Sequence, residues 1–500
     1  MRRYLPVNFL LTLLFTMLGL AVMGYHPGFE DDGVYLTAVK SSVNPALYPH
    51  DPGFFRYQMQ ASYFDNLVAG FIRWTGFSVA ATELLWQIAS VALVVFGCWM
   101  IARRLFTDAR AQWAGVALVT AMFTLPVAGT ALYLVDQHLH PRTIATGLIL
   151  LAVSRILAGK SWQALPLLLL AFLLHPLMTA FGVSFCFFLA MVMLETPLHL
   201  WPRRWCGTGQ GAANGFGAAF IIPLGWVFAP PTPAWRDALG MRTYFFLFRW
   251  TWYEWMGVWA PLVLFWLLWR IARKRGETLL ARFALAVFLY GVFQLAVAML
   301  MLGFPALIRL APLQPMRFLH LIYFFLMLMG GCLLGRYLLK TSLWRWAVFL
   351  LLINTVMFAS QRLQYSGSEH LELPGSSTAN PWLQAFAWIR QNTPTDTFFA
   401  LDPQYMAAPG EDYHSFRALA ERSQLADSIK DTAVVTQIPE LAVVWEQQVQ
   451  AQKGWARFQL DDFERLKAVY GVNWVLVAYP QPIGLACQWH NNSLTICRIP

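Results

Sequence analysis

Apolar runs recur along this chain near 5–24, 82–102, 111–131, 143–158, 162–174, 177–195, 212–229, 254–271, 279–302, 318–339 and 342–359. A run of about twenty such residues, wound as a helix, crosses roughly 30 Å of hydrocarbon. Lipid offers no hydrogen-bond partner to the backbone, so spans of this kind must close their own N–H and C=O groups as helices. The expected fold class is therefore a membrane all-α bundle of about eleven transmembrane helices. The fifth and sixth runs are one apolar stretch divided at His175-Pro176.

Composition excludes a soluble protein. Only 12% of the 500 residues are charged and 58% are hydrophobic, whereas soluble domains carry roughly a quarter charged residues. The net charge of +10 is no nucleic-acid footprint, because the Lys and Arg residues sit between spans and form no basic stripe with interleaved aromatics. Threading the spans alternately puts Arg2, Arg3, Arg103, Arg104, Arg203, Arg204, Arg273, Lys274 and Lys340 on one side. An excess of cations marks the cytoplasmic face. Met1-Arg2-Arg3 before 5–24 is expected to start an uncleaved first span, since no small-residue cleavage site follows.

An odd number of crossings leaves the end of the chain outside the cytoplasm. The expected organisation is a membrane domain over 1–359, with a first external loop at 25–81, a linker over 360–380, and an extracytoplasmic α/β module over 381–500. Asn380-Pro381 has the pattern of a helix start for a helix at 382–391. Strands are predicted at 398–401 and 474–478, helices at 438–452 and 461–470, and a hairpin around Asn491-Asn492. Cys487 and Cys497 flank that hairpin symmetrically in an oxidising compartment, which predicts a disulfide. Cys98, Cys186 and Cys332 fall in spans and Cys206 on the cytoplasmic side.

The chemistry concentrates just after the first span, in Tyr25-His26-Pro27-Gly28-Phe29-Glu30-Asp31-Asp32-Gly33-Val34-Tyr35. At about 2.5–3.5 kcal/mol per acid in mid-membrane, three adjacent carboxylates would oppose insertion by roughly 8–10 kcal/mol, so they lie at or beyond the interface. The loop behind them, nearly sixty residues long with an aromatic-rich amphipathic stretch at 54–71, is expected to lie along the membrane surface. The same threading brings Asp136, His138, His140, Arg142, His175, Arg309 and Arg317 to this outer face. Each has a plain alternative: an interfacial hydrogen-bonded histidine, or a snorkelling arginine. Arg242, Arg249 and Glu254 have a comparable location inside an aromatic belt.

A cytoplasmic start, an external loop opening with Asp31-Asp32-x-x-Tyr35, many further spans and an external C-terminal module together resemble the GT-C superfamily of polyprenyl-phosphate-sugar-dependent membrane glycosyltransferases. Protein mannosyltransferases and aminoarabinose transferases are of this kind. The helix 382–391 with the following Thr393-Pro394 and strand also looks like the opening of their external domain. This chain departs from the pattern in having Asp32 where Glu is common, with Glu30 in front. The resemblance implies an inverting glycosyltransferase that takes a sugar from a polyprenyl-phosphate donor to a glycan, lipid or protein acceptor outside the cytoplasm of a bacterial inner or plasma membrane.

By the same resemblance Asp31 is the general base, and Asp32 its orienting or acceptor-binding neighbour. Glu30, Tyr35, His138, His140, Arg142, His175 and Arg317 are the expected substrate-binding residues. A divalent cation, Mg or Mn, is left open, with Asp31, Asp32 and Asp136 as its carboxylates. Two other functions stay in view. A transporter would place ionisable groups within broken spans near mid-membrane; a non-catalytic scaffold of the same architecture would act through its external module.

Overall fold

The computed structural model describes residues 5–194 and 230–500. The expected span 212–229, Cys206 and the cytoplasmic Arg203 and Arg204 lie outside the described residues. Among those described, six helices are long and apolar enough to cross a membrane: Val79–Leu105, Pro176–Met193, Trp252–Lys274, Thr278–Gly303, Pro315–Leu339 and Leu343–Gln364. Val7–Met23 and Ser161–Leu174 are shorter apolar helices.

In chain order, α1 (Leu5–Met23) leads into the loop, which folds as three helices: α2 (Asp32–Val43), α3 (Gly53–Ala61) and α4 (Phe64–Thr75). The bundle follows with α5 (Val79–Leu105), α6 (Ala109–Ala121), α7 (Pro141–Leu157), α8 (Ala164–Leu174) and α9 (Pro176–Met193). After α10 (Pro233–Gly240) come α11 (Trp252–Lys274), α12 (Thr278–Gly303), α13 (Leu319–Leu334) and α14 (Leu343–Gln364). Small residues let backbones meet where lipid gives helices no hydrophobic reason to associate. The contact of α6 with α13 shows this directly. A Cβ on Gly115 would stand 2.5 Å from Cys332 Sγ, and one on Gly331 would stand 2.5 Å from the Ala114 carbonyl oxygen. α14 is the least buried of the long apolar helices described, with Trp344 and Leu351 exposed.

One expected helix is shorter than its apolar run. The run 111–131 is helical only to Ala121. Pro126 has no N–H to donate and disfavours helical backbone at Leu125. The chain instead folds back, with the Val127 N–H donating to Leu132 O at 2.8 Å and Val135 N–H to Phe123 O at 2.9 Å. Phe123 and Val127 stay fully buried. This reversal carries Asp136, His138 and His140 to the start of α7.

The C-terminal module begins with α15 (Pro381–Asn392), where the Asn380 side chain caps the Trp382 and Leu383 N–H groups. A five-stranded sheet has the order β2-β1-β3-β5-β4, from β1 (Phe398–Ala400), β2 (Ser423–Gln424), β3 (Trp474–Ala478), β4 (Ala486–His490) and β5 (Leu494–Arg498). Cys487 pairs across the hairpin with Cys497, and a disulfide joins them. The helices α16 (Phe416–Ala420), α17 (Asp431–Gln437), α18 (Ala442–Ala451) and α19 (Leu460–Tyr470) complete the module.

The segment 25–81, expected as the first external loop, folds against this module as well as against the bundle. Arg417 is hydrogen-bonded through Nε to Asp51 of the loop, and through Nη1 and Nη2 to Asp431 at 2.7 and 2.9 Å. Lys40 Nζ donates to Ala418 O and Glu421, both at 2.7 Å. The stretch expected as a linker is stitched to the loop too, with Tyr25 N–H donating to His370 O at 3.0 Å and Glu372 N–H to Tyr25 O at 2.9 Å.

Candidate active site

The site grows from two His-Pro pairs and one helix start. His140 caps α7, its Nδ1 accepting from the Arg142 N–H at 2.9 Å, with Pro141 at the first helical position. His175 caps α9 in the same way: its Nδ1 accepts from the Met178 N–H at 3.3 Å, and Pro176 follows. Pro suits that position because its missing N–H would have had no partner there. Accepting at Nδ1 leaves the proton of the neutral ring on Nε2. The two imidazoles lie side by side, ring centroids 5.9 Å apart, and Tyr35 stands edge-on to His140 at 4.5 Å.

Asp31 is the residue before α2 and makes no side-chain capping bond, so its carboxylate is free to face outward. Oδ2 lies 3.8 Å from His140 Nε2, and Oδ1 accepts from Lys430 Nζ at 3.2 Å. Lys430 also pairs with Glu30, whose backbone is in the left-handed region at φ 51. The Asp31 side chain is 38% exposed. Burial pushes its carboxyl up, but the Lys430 ammonium, with His140, Arg142 and Arg317 behind it, holds the group well below the ordinary carboxylate range. Burial and the Arg142 charge together hold the His140 ring well below the usual imidazole range. The result is an ionised, accessible carboxylate beside a neutral N–H donor.

Asp32 points elsewhere. It is 2% exposed, and its Oδ2 accepts from the Gly28 N–H at 2.6 Å. Asp32 and Glu83 of α5 both line a small cleft with Tyr35, Phe64 and Leu139. Successive residues of a helix diverge by about 100°, and here Asp31 meets Lys430 and His140 while Asp32 meets the Gly28 N–H.

Asp136 is held by Arg142, whose Nη2 and Nε reach its two oxygens at 2.5 and 3.1 Å. That leaves Arg142 Nη1 buried without a hydrogen-bond partner, and Arg317 Nε is in the same condition. Arg317 lines a second small cleft with Thr130, Tyr244, Phe245, Gln314 and Met316. His138 is buried with both ring nitrogens unpartnered, against Phe29 at 6.0 Å and His140 at 5.8 Å.

The carboxylates considered for a divalent ion do not converge. Asp32 is turned away, and the His140 ring stands between Asp31 and Asp136, whose nearest oxygens lie 3.8 and 4.0 Å from its two nitrogens. Of the other outer-face residues, Arg309 donates to the Pro230 carbonyl, Arg242 to the Ile429 carbonyl, and Glu254 closes the capping box of α11. Sequence reasoning missed Lys430, which is 399 residues from Asp31 and belongs to no motif.

No protein-family model matches the chain, and no curated protein does. Among solved structures the chain is similar to the archaeal oligosaccharyltransferase AglB from Archaeoglobus fulgidus in complex with an inhibitory peptide and a dolichol-phosphate. That likeness has a TM-score of 0.42 and 12% identity over 95% of this chain and 70% of that one. A second structure of the Archaeoglobus fulgidus oligosaccharyltransferase, in complex with Zn and sulfate, has a TM-score of 0.42 and 12% identity over 94% of this chain and 68% of that one.

Proposed function

We propose that the chain is a membrane glycosyltransferase of the GT-C kind, moving a sugar from a polyprenyl-phosphate donor to an acceptor outside the cytoplasm, with about eleven crossings in all. The observation that carries this reading is the open Asp31 carboxylate set among groups that serve the two ends of such a reaction. Asp31 accepts a hydrogen bond from the acceptor hydroxyl and orients its oxygen toward the anomeric carbon. Its low pKa makes it a weak base, so it takes the proton only as the oxygen becomes acidic on bonding to the sugar.

The phosphate left behind needs cations and donors. Arg317 and Arg142 have unspent N–H groups buried at this face, suited to phosphate oxygens. His140, and by the same capping geometry His175, supplies a neutral Nε2–H, while Tyr35 fixes the His140 ring. No step is assigned to a metal, since the carboxylates do not converge.

The test is transfer from a polyprenyl-phosphate sugar in proteoliposomes. Asp31→Asn should lower the rate by roughly 10²–10⁴-fold with normal insertion and yield. Transfer at the wild-type rate would remove Asp31 from the mechanism; vectorial uptake of the labelled donor without covalent product would replace the reading by transport.

A further inference from the structure

Beside Phe29, three side chains distant in sequence meet in the interior. His26 follows α1, Glu372 precedes the C-terminal module, and His414 belongs to that module. His26 Nδ1 is 2.8 Å from Glu372 Oε1, and His414 Nε2 is 3.0 and 3.1 Å from Oε1 and Oε2. One ligand atom from each lies within 4.8 Å of the others. His26 and His414 are 2% and 0% exposed.

The hydrogen bonds settle which ring atoms are available. His414 Nδ1 lies 2.9 Å from the Glu411 carbonyl oxygen, which can only accept, so the proton is on Nδ1. In the neutral ring Nε2 then presents a lone pair to a carboxylate that also has only lone pairs. A cation must stand between them, a proton or a metal ion. A ring N–H held by a backbone carbonyl is the usual outer support of a metal-bound histidine. His26 Nδ1 faces the same acceptor-only carboxylate and carries the proton there when no metal is bound; its Nε2 has no partner, so the ring can take the other tautomer and turn the Nδ1 lone pair to an ion.

We propose that His26, Glu372 and His414 form a binding site for a divalent transition metal of the zinc class. Two imidazoles and one carboxylate select such an ion over Mg or Mn, which prefer all-oxygen shells. The three ligands leave one coordination position open. The ion would clamp the exit of α1 to the module that supplies Lys430, beside Phe29, which lies 6.0 Å from His26. It is a structural clamp and independent of the transfer chemistry.

Cobalt(II) tests this without any sugar substrate. Full-length protein without a polyhistidine tag, stripped by chelator and held in detergent, is titrated with cobalt. One equivalent per chain is expected, with the visible d–d absorption of a four- or five-coordinate nitrogen–oxygen site. Glu372→Gln and His414→Gln preserve shape and some hydrogen bonding, and each should weaken binding at least about tenfold while eluting as a single species. Asp31→Asn should bind cobalt as wild type does. A wild-type titration without visible bands would show a hydrogen-bonded His–Glu–His clamp only and would overturn the site. So would triad variants that bind as tightly as wild type, or loss of binding in Asp31→Asn alone.

Discussion

At the scale of single residues, the pairing of Lys430 with Asp31 has a consequence that pH can read. A carboxyl whose pKa is held down stays ionised until the pH falls well under the ordinary carboxylate range, so wild-type activity should not depend on Asp31 protonation near pH 5. Lys430→Ala removes the nearest cation; the carboxyl then rises, and the acid limb of the rate profile should move up by about one pH unit. An unmoved limb between pH 4 and 8 would separate Lys430 from the site. Asp65 works in the other direction. It is fully buried with both oxygens unpartnered, and burial, with the Asp32 charge adding to it, pushes its carboxyl up to about 7. The folded state then binds a proton that the unfolded chain has lost, so this group's contribution to stability declines as pH rises from about 4 to 7. Asp65→Asn should therefore raise the unfolding midpoint by a few degrees at pH 8 and leave it unchanged near pH 4. The acid triplet was legible in the sequence because hydrocarbon excludes three adjacent carboxylates. The split between an open Asp31 and a buried Asp32 was not, since it depends on where α2 begins and on Glu83, 51 positions further on.

At the scale of elements, hydropathy found the helices because lipid demands both length and apolarity of a span. It failed over 111–131, where Pro126 turned an apolar stretch into a buried reversal rather than a longer helix. The two His-Pro pairs are visible in sequence; read as helix caps, they would have fixed Nδ1 as the acceptor in advance. The strand β3 was legible from its apolar, β-branched run, and the β4–β5 hairpin from the Asn491-Asn492 turn, whereas the two-residue β2 carries no pattern of its own. What no local signal could supply is the contact between α2, the 44–52 loop and α16. Arg417 sits there between Asp51 and Asp431, all three buried. Breaking a buried ion network by removing one partner costs about 3–5 kcal/mol, because the remaining charges lose their compensation. Arg417→Met should lower thermal stability in detergent accordingly, and adding Asp431→Asn should restore part of the loss. Equal midpoints for wild type and Arg417→Met would mean that this contact contributes nothing to holding the loop.

At the scale of the whole molecule, the arrangement has one polar end, where the external loop, the start of α7 and the C-terminal module meet, and an apolar body of helices. The proposed orientation puts that end outside the cell's interior. A thiol introduced by Val469→Cys, on an exposed position of α19, should react with a membrane-impermeant maleimide in intact cells; labelling only after lysis would reverse the topology. The buried cysteines Cys98, Cys186 and Cys332 should stay silent in that assay. The pairing of Lys430 with Asp31 also sets an order in time. The two residues are 399 positions apart, and at about 5–20 residues per second the acid leaves the ribosome roughly 20–80 s before its cation. Through that interval the Asp31 carboxylate has no lysine beside it, so a newly made chain acquires this electrostatic setting only when the C-terminal module has docked.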